Sequence, residues 1–269
     1  MSESVISLKG IEKSYGPHKV LTDVNLDIHK GDIFGLVGKN GAGQTTMFKV
    51  ILGLSSFQSG TVELCGTGTD LAAGRKKIGF MVGSNYFGYM SARQNLDYYR
   101  ILKGIKDKKE VDRVLKIVEL DKVKRPVKTF SLGMKQRLGI ANALLGMPDV
   151  LILDEPTNGL DPQGIADIRT LVQKLNEEYG MTVIISSHIL GELQHTAHRF
   201  GIVNNGTVPC TITQEDLRSE QKAVRIHVDD LERARKLLAD GGVEVLNEVQ
   251  ETVSLEDFYF NMVGGAKNA

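Results

Sequence analysis

The sequence predicts an α/β fold built on a mostly parallel sheet, and three observations carry that expectation. Short apolar runs at Ile33–Val37, Asp149–Pro156 and Gly180–His188 read as buried strands. Segments with helical spacing separate them, as a parallel sheet with helices on both faces requires. The first run also ends in a glycine-rich loop that opens directly into a helical pattern, the strand–loop–helix context of a phosphate-binding loop.

Each element has its own signal. Val24, Leu26 and Ile28 alternate with polar neighbours, which reads as a half-buried strand. The turn His29–Asp32 follows, then the apolar run Ile33–Val37. Beyond the glycines, Phe48, Ile51 and Leu52 share one helical face. From about Ser91 to Lys128 the character changes to charged amphipathic helices with no strand between them, predicting an inserted helical subdomain at about residues 84–130. Between the second and third strands, Pro162 opens a helix and Gly180 lies past its end. The segment Arg199–Pro209 reads as a hairpin turning at Asn204–Gly206. The main domain is thus expected over residues 1–220. Residues 221–269 read as a small α/β appendage: strand Ala223–Val228, helix Asp230–Gly242 and strand Val243–Val249.

Composition narrows the function. Thirty-three basic and thirty-three acidic residues cancel, which argues against a non-specific nucleic-acid binder. Cys65 and Cys210 are far apart in a chain long enough to fold without staples, so reduced thiols are expected rather than a disulfide. The opening stretch has no apolar run after a basic start, so no signal peptide is expected. No run of eighteen apolar residues occurs, so any membrane span would belong to another chain.

The chemistry-bearing stretches come next. Gly38-Lys39-Asn40-Gly41-Ala42-Gly43-Gln44-Thr45-Thr46 has the glycine spacing and hydroxyl of a phosphate loop, but Gln44 stands where the pattern has lysine. The run Leu151–Pro156 delivers Asp154 and Glu155 to the carboxyl end of a strand, where open α/β sheets place ligands. Asp154 is suited to hold Mg²⁺, directly or through water, beside Thr45; Glu155 is placed to orient or deprotonate a water. Ser131 and Gly133 open a helix and offer donors to an anion, although Ser131 also fits as a plain N-cap.

With these motifs in order, the chain from about Val5 to Pro209 resembles the ATP-binding subunit of an ABC transporter. The resemblance rests on the loop Gly38–Thr46, the run Leu151–Pro156, and the signature-like Ser131-Leu132-Gly133-Met134-Lys135-Gln136. It rests also on Asn158-Gly159-Leu160-Asp161 and on His188 after two serines. The variant signature and the run Pro156–Pro162 look most like subunits serving bacitracin-type and lantibiotic peptide exporters. The resemblance implies a P-loop ATPase core with an antiparallel β portion, and ATP and Mg²⁺ as ligands. It implies Glu155 and His188 as catalytic residues and Tyr15 stacked on adenine, with a core tyrosine as the alternative for Tyr15. It further implies a dimer, homo- or heteromeric, in which Ser131, Gly133, Gln136 and Asp161 complete the partner subunit's ATP site. The location implied is the cytoplasmic face of the cell membrane, bound to an integral membrane permease.

Two departures qualify the resemblance. Gln44 keeps the reach and a donor but not the charge of the lysine, which implies slowed hydrolysis; Lys39 is an alternative cation. Gly83 falls where the family has a glutamine that touches Mg²⁺, and Asn85 is the nearest polar substitute. The stretch Gly83–Gln94, with Tyr86, Phe87, Tyr89 and Met90, is expected with the helical subdomain to form the permease-docking face. Two other functions stay open at this point: an ATP-dependent dimerising sensor with little turnover, and a soluble ABC protein of translation or repair.

Overall fold

The computed structural model describes residues 3–83, 86–220 and 230–242. The chain divides into two compact units, Met1–Arg218 and Ser219–Ala269.

In the first unit, β1 (Ser4–Tyr15) and β2 (His18–His29) form a long antiparallel hairpin, and β4 (Ser59–Leu64) pairs with the other edge of β1. Between them in sequence come β3 (Ile33–Gly38) and α1 (Gln44–Ile51). After β4, α2 (Leu71–Lys76) leads into β5 (Ile78–Met81). Next are α3 (Ala92–Leu102), α4 (Lys109–Ile117), a single 3₁₀ turn at Val127–Thr129 and α5 (Leu132–Leu144). Then β6 (Val150–Leu153), α6 (Pro162–Glu177), β7 (Thr182–Ser187) and α7 (Leu190–Gln194) alternate. The unit closes with the hairpin β8 (Arg199–Asn204) and β9 (Thr207–Thr213), followed by α8 (Gln214–Glu220).

The second sheet has the order β5-β6-β7-β3-β8-β9, parallel throughout except for the antiparallel pair β8/β9. Every residue of β6 and β7 is buried, which is why their sequences are unbroken apolar or small runs. Phe34, Leu36, Phe48, Ile152 and Ile184 join one core with the inner face of the antiparallel sheet; Ile33, Leu151, Leu153, Val183 and Ile185 face a second with α4, α5 and α6. Each such fully buried aliphatic contributes roughly 1.5–3 kcal/mol.

β1 was not legible in the sequence. Val5, Ile6, Ser7 and Leu8 are all buried, so no alternation shows. Gly10, at φ +62°, then sits in a bulge where the register against β2 shifts. The two sheets meet where β2 approaches the β8/β9 turn. Gly206, in the β8/β9 turn, accepts from Thr22 N–H (2.8 Å) and donates to the Ala42 carbonyl (3.0 Å).

Of the second unit, α9 (Leu231–Asp240) is described, with Asp230 accepting from the Arg233 amide (3.0 Å) as N-cap. The expected strands at Ala223–Val228 and Val243–Val249 lie outside the described residues.

The helical part is tied to the loop before it by one buried side chain. Asn95, 1% exposed, accepts from Phe87 N–H (2.7 Å) and donates to the carbonyls of Phe87 (3.1 Å) and Ser91 (3.0 Å). Asn95→Ala removes three hydrogen bonds and leaves the Phe87 amide without its acceptor, while the Phe87 and Ser91 carbonyls keep the Met90 and Asn95 amides. It is expected to lower unfolding free energy by about 1–3 kcal/mol in urea melts. A loss below ~0.5 kcal/mol, the range of ordinary surface substitutions, would contradict this network.

Candidate functional site

The loop Gly38–Gly43 leaves the carboxyl end of β3 and turns into α1, whose start has no side-chain cap and no acidic residue in its first turn. The first-turn amides therefore keep donors for an anion, and the helix dipole adds positive potential. Gly43 makes this entry possible. At φ +117° it tolerates no side chain, and a Cβ there would lie 2.9 Å from Leu21 and 3.2 Å from the Val20 carbonyl. The Ala42 amide closes the turn on the Lys39 carbonyl at 2.9 Å. Asn40 and Gly41 form the exposed crest beside Lys39, which has no ion-pair partner among the described residues.

Gln44 points the other way. It is only 6% exposed, and its amide nitrogen donates to the carbonyls of Leu36 (3.0 Å) and Ser187 (3.3 Å). The donor that the sequence promised to a ligand is spent on tying the loop to β3 and to the end of β7.

Thr45, exposed on the loop side of α1, donates to Asp154 Oδ2 at 2.8 Å. Asp154 Oδ1 accepts from Ser186 Oγ, also at 2.8 Å, and Ser186 Oγ in turn accepts the Glu155 amide (2.9 Å). Glu155 adopts φ +47°, a left-handed conformation that costs a non-glycine residue about 1–3 kcal/mol and is held here by the Ser186 bond. Its Oε1 lies 3.2 Å from His188 Nδ1, with both side chains partly open to solvent. Ser186 was missed by sequence reasoning; its only signal was its place as the first serine before His188.

Tyr15 is 47% exposed, which rules out the core-tyrosine alternative. Its hydroxyl shares a hydrogen bond with Ser55 (3.2 Å), which draws its pKa below the ordinary phenol value, aided by the charges of Lys13 and Lys49. Lys13 Nζ sits 4.6 Å from the ring centroid, a cation–π contact.

The remaining candidates form a separate patch. Ser131 is the N-cap of α5, accepting from Met134 N–H at 3.3 Å, and Asp161 is the N-cap of α6, accepting from Gly164 N–H at 2.9 Å. Their turns pack together: Leu160 faces Gly133, and Leu132 lies over Gly159. Gln136 is half-buried one turn into α5. Among the described residues no hydrogen bond joins this patch to the loop. Gly83 is exposed at φ +73°, and Asn85 lies outside the described residues. Cys65 and Cys210 are both free.

This geometry is matched by known proteins. The ABC transporter family matches residues 21–158. The bacitracin transport ATP-binding protein BcrA of Bacillus licheniformis is 35% identical over 97% of this chain and 98% of its own length. The lantibiotic transport ATP-binding protein SrtF of Streptococcus pyogenes is 40% identical over 76% of this chain and 89% of its own. Among solved structures, the ATP-binding cassette MJ0796, a dimer in a post-hydrolysis state with ADP and phosphate, superposes with a TM-score of 0.68. It is 28% identical and is matched over 78% of this chain and 99% of that one. Fold, loop and relatives agree: the chain belongs to the ABC transporter family, among its ATP-binding subunits.

Proposed function

We propose that this subunit binds and slowly hydrolyses ATP to drive a membrane partner that exports a peptide antibiotic. The observation that carries the reading is the chain of contacts Thr45–Asp154–Ser186–Glu155–His188 beside an uncapped helix start. Loop amides and the α1 dipole bind the phosphates, and Tyr15 offers a ring to the base. Thr45 and Asp154, two oxygen donors 2.8 Å apart, fit a hard cation that takes its other ligands from phosphate and water. Mg²⁺ held by Thr45 and Asp154 would offset charge on the phosphate oxygens. Glu155 then orients or deprotonates the attacking water, and His188 steadies that carboxylate. The names of BcrA and SrtF support a peptide-antibiotic substrate.

Ground-state binding needs the amides and the cation, whereas turnover needs charge where the reaction develops it. Gln44, engaged with two carbonyls, supplies none. A well-aligned donor or cation is typically worth roughly 3–4 kcal/mol, about two to three orders of magnitude in rate. Gln44→Lys should therefore raise ATP hydrolysis at least about tenfold with the membrane partner present. Adding Glu155→Gln should abolish the gain. If the rate is unchanged while Lys39→Ala removes it, Lys39 is the working cation; if labelled ATP does not bind, the reading fails. The same inward Gln44 favours the second reading, a dimerising sensor with little turnover, which Gln44→Lys would leave without a gain.

Among the described residues Ser131, Gly133, Gln136 and Asp161 make no hydrogen bond to their own loop, which supports a site completed across two subunits. The isolated protein should be monomeric without nucleotide and dimeric with MgATP in light scattering, and Ser131→Arg should abolish the nucleotide-dependent dimer. A dimer indifferent to both MgATP and Ser131→Arg would contradict the arrangement.

The docking face for the membrane partner is proposed at Phe87, Tyr89, Tyr98 and the adjoining turn of α3. Phe87 packs edge-on against Tyr98 (4.9 Å between centroids), while Tyr89 is 71% and Ile101 61% exposed. Such a patch on a charged surface marks an interface. Tyr89→Glu with Ile101→Glu should abolish co-purification with the membrane subunit and leave the isolated subunit folded by circular dichroism. Undiminished co-purification would remove this face from consideration.

A further inference from the structure

Glu192, on α7, belongs to none of the motifs that identify the family, yet its Oε2 accepts two hydroxyls. One comes from Thr157 (2.6 Å) and one from Ser187 (3.2 Å). Thr157 lies two residues after Glu155, and Ser187 immediately precedes His188; both are almost fully buried. Since Glu155 and His188 themselves meet at 3.2 Å, the contacts close a ring: Glu155, Pro156, Thr157, Glu192, Ser187, His188 and back to Glu155. We infer that Glu192 is a positioning residue that holds His188 against Glu155 by bracing the two chain segments that carry them.

The hydrogen-bond inventory makes the brace specific. Ser187 has one hydroxyl proton and gives it to Glu192, which leaves its lone pairs for the Ile189 amide at 3.0 Å. Thr157 donates its proton to the same oxygen, while its carbonyl holds the Leu160 amide (3.1 Å) in the turn that ends at Asp161. Thr196 Oγ1 donates to the Glu192 carbonyl (3.1 Å) and fixes the residue on its own helix. A carboxylate oxygen shared by two hydroxyls is a charge-assisted node, stiffer than either neutral bond alone. Any shift of the Asp161 turn therefore reaches His188 through one side chain. Among the described residues Glu192 makes no hydrogen bond to Glu155 or His188, so it acts through their neighbours. The inference rests on the reading of Glu155 and His188 as the reacting pair, but its geometry needs no nucleotide.

The test uses the full-length, nucleotide-free protein and the imidazole nitrogen shifts of His188 at fixed pH, assigned by the resonance lost in His188→Ala. Glu155→Gln defines the shift of an imidazole without its carboxylate partner. Glu192→Ala and Thr157→Val should each move the His188 signal towards that reference. Their combination should add little to either alone, because both remove the same brace. Glu192→Gln, which keeps one acceptor oxygen, should fall between the parent and Glu192→Ala. Thr157→Val keeps the side-chain shape and carries the test if Glu192→Ala does not fold. The inference is overturned if His188 is unmoved in Thr157→Val and Glu192→Ala while Glu155→Gln moves it, or if Glu155→Gln moves nothing. Loss of ATP binding would count against the proposed function and leave this readout standing.

Discussion

The Asp154 carboxylate is the contact on which the site depends. It accepts a hydroxyl from Thr45 on one oxygen and from Ser186 on the other, and so pins the start of α1 to the ends of β6 and β7. This is possible because β6, β7 and β3 are neighbours in one parallel sheet and end at the same edge. A slip of one residue in β6 that put Asp154 in the buried place of Leu153 would bring Glu155 into the place of Asp154. The unbroken burial of β6 and β7 on both faces opposes that slip, so the packing of the two cores sets the geometry of a polar cluster at their rim.

Much of this was legible because it is local. Strand, glycine loop and helix follow one another within a few residues, and the carboxylates ride on the end of an apolar run. What stayed hidden depends on partners far away in sequence. β1 shows no alternation because Val5, Ile6, Ser7 and Leu8 are all buried, Val5 in the same core as Ile6 and Leu8. Ser186 matters only because β7 lies beside β6, and Glu192 only because α7 folds back beside Thr157. The direction of Gln44 was also unreadable, since one of its acceptors, Ser187, is 143 positions away.

That direction changes how the missing lysine is understood. A buried amide must find partners or cost about 1–3 kcal/mol, and the nearest acceptors lie beneath the loop rather than above it. Gln44 therefore steadies the loop from inside and joins it to the strand that leads to His188. The loop is thus braced from beneath by an uncharged side chain. A lysine at the same position would gain by turning outward, because a buried ammonium between two carbonyls loses more hydration than it regains.

The division of the candidate residues into two patches follows from the same mechanics. Ser131 and Asp161 cap α5 and α6, each accepting one amide of its helix, and both helix starts are exposed. A loop that offers amides to one side of a triphosphate leaves its other side open to water, where developing charge is poorly stabilised. A second set of donors from another subunit would exclude that water. Because Thr157 and Ser187 share the Glu192 oxygen, the turn bearing Asp161 would report such closure directly to His188. Assembly and reaction geometry would then be coupled through hydrogen-bonded segments, with no need for the sheet to deform.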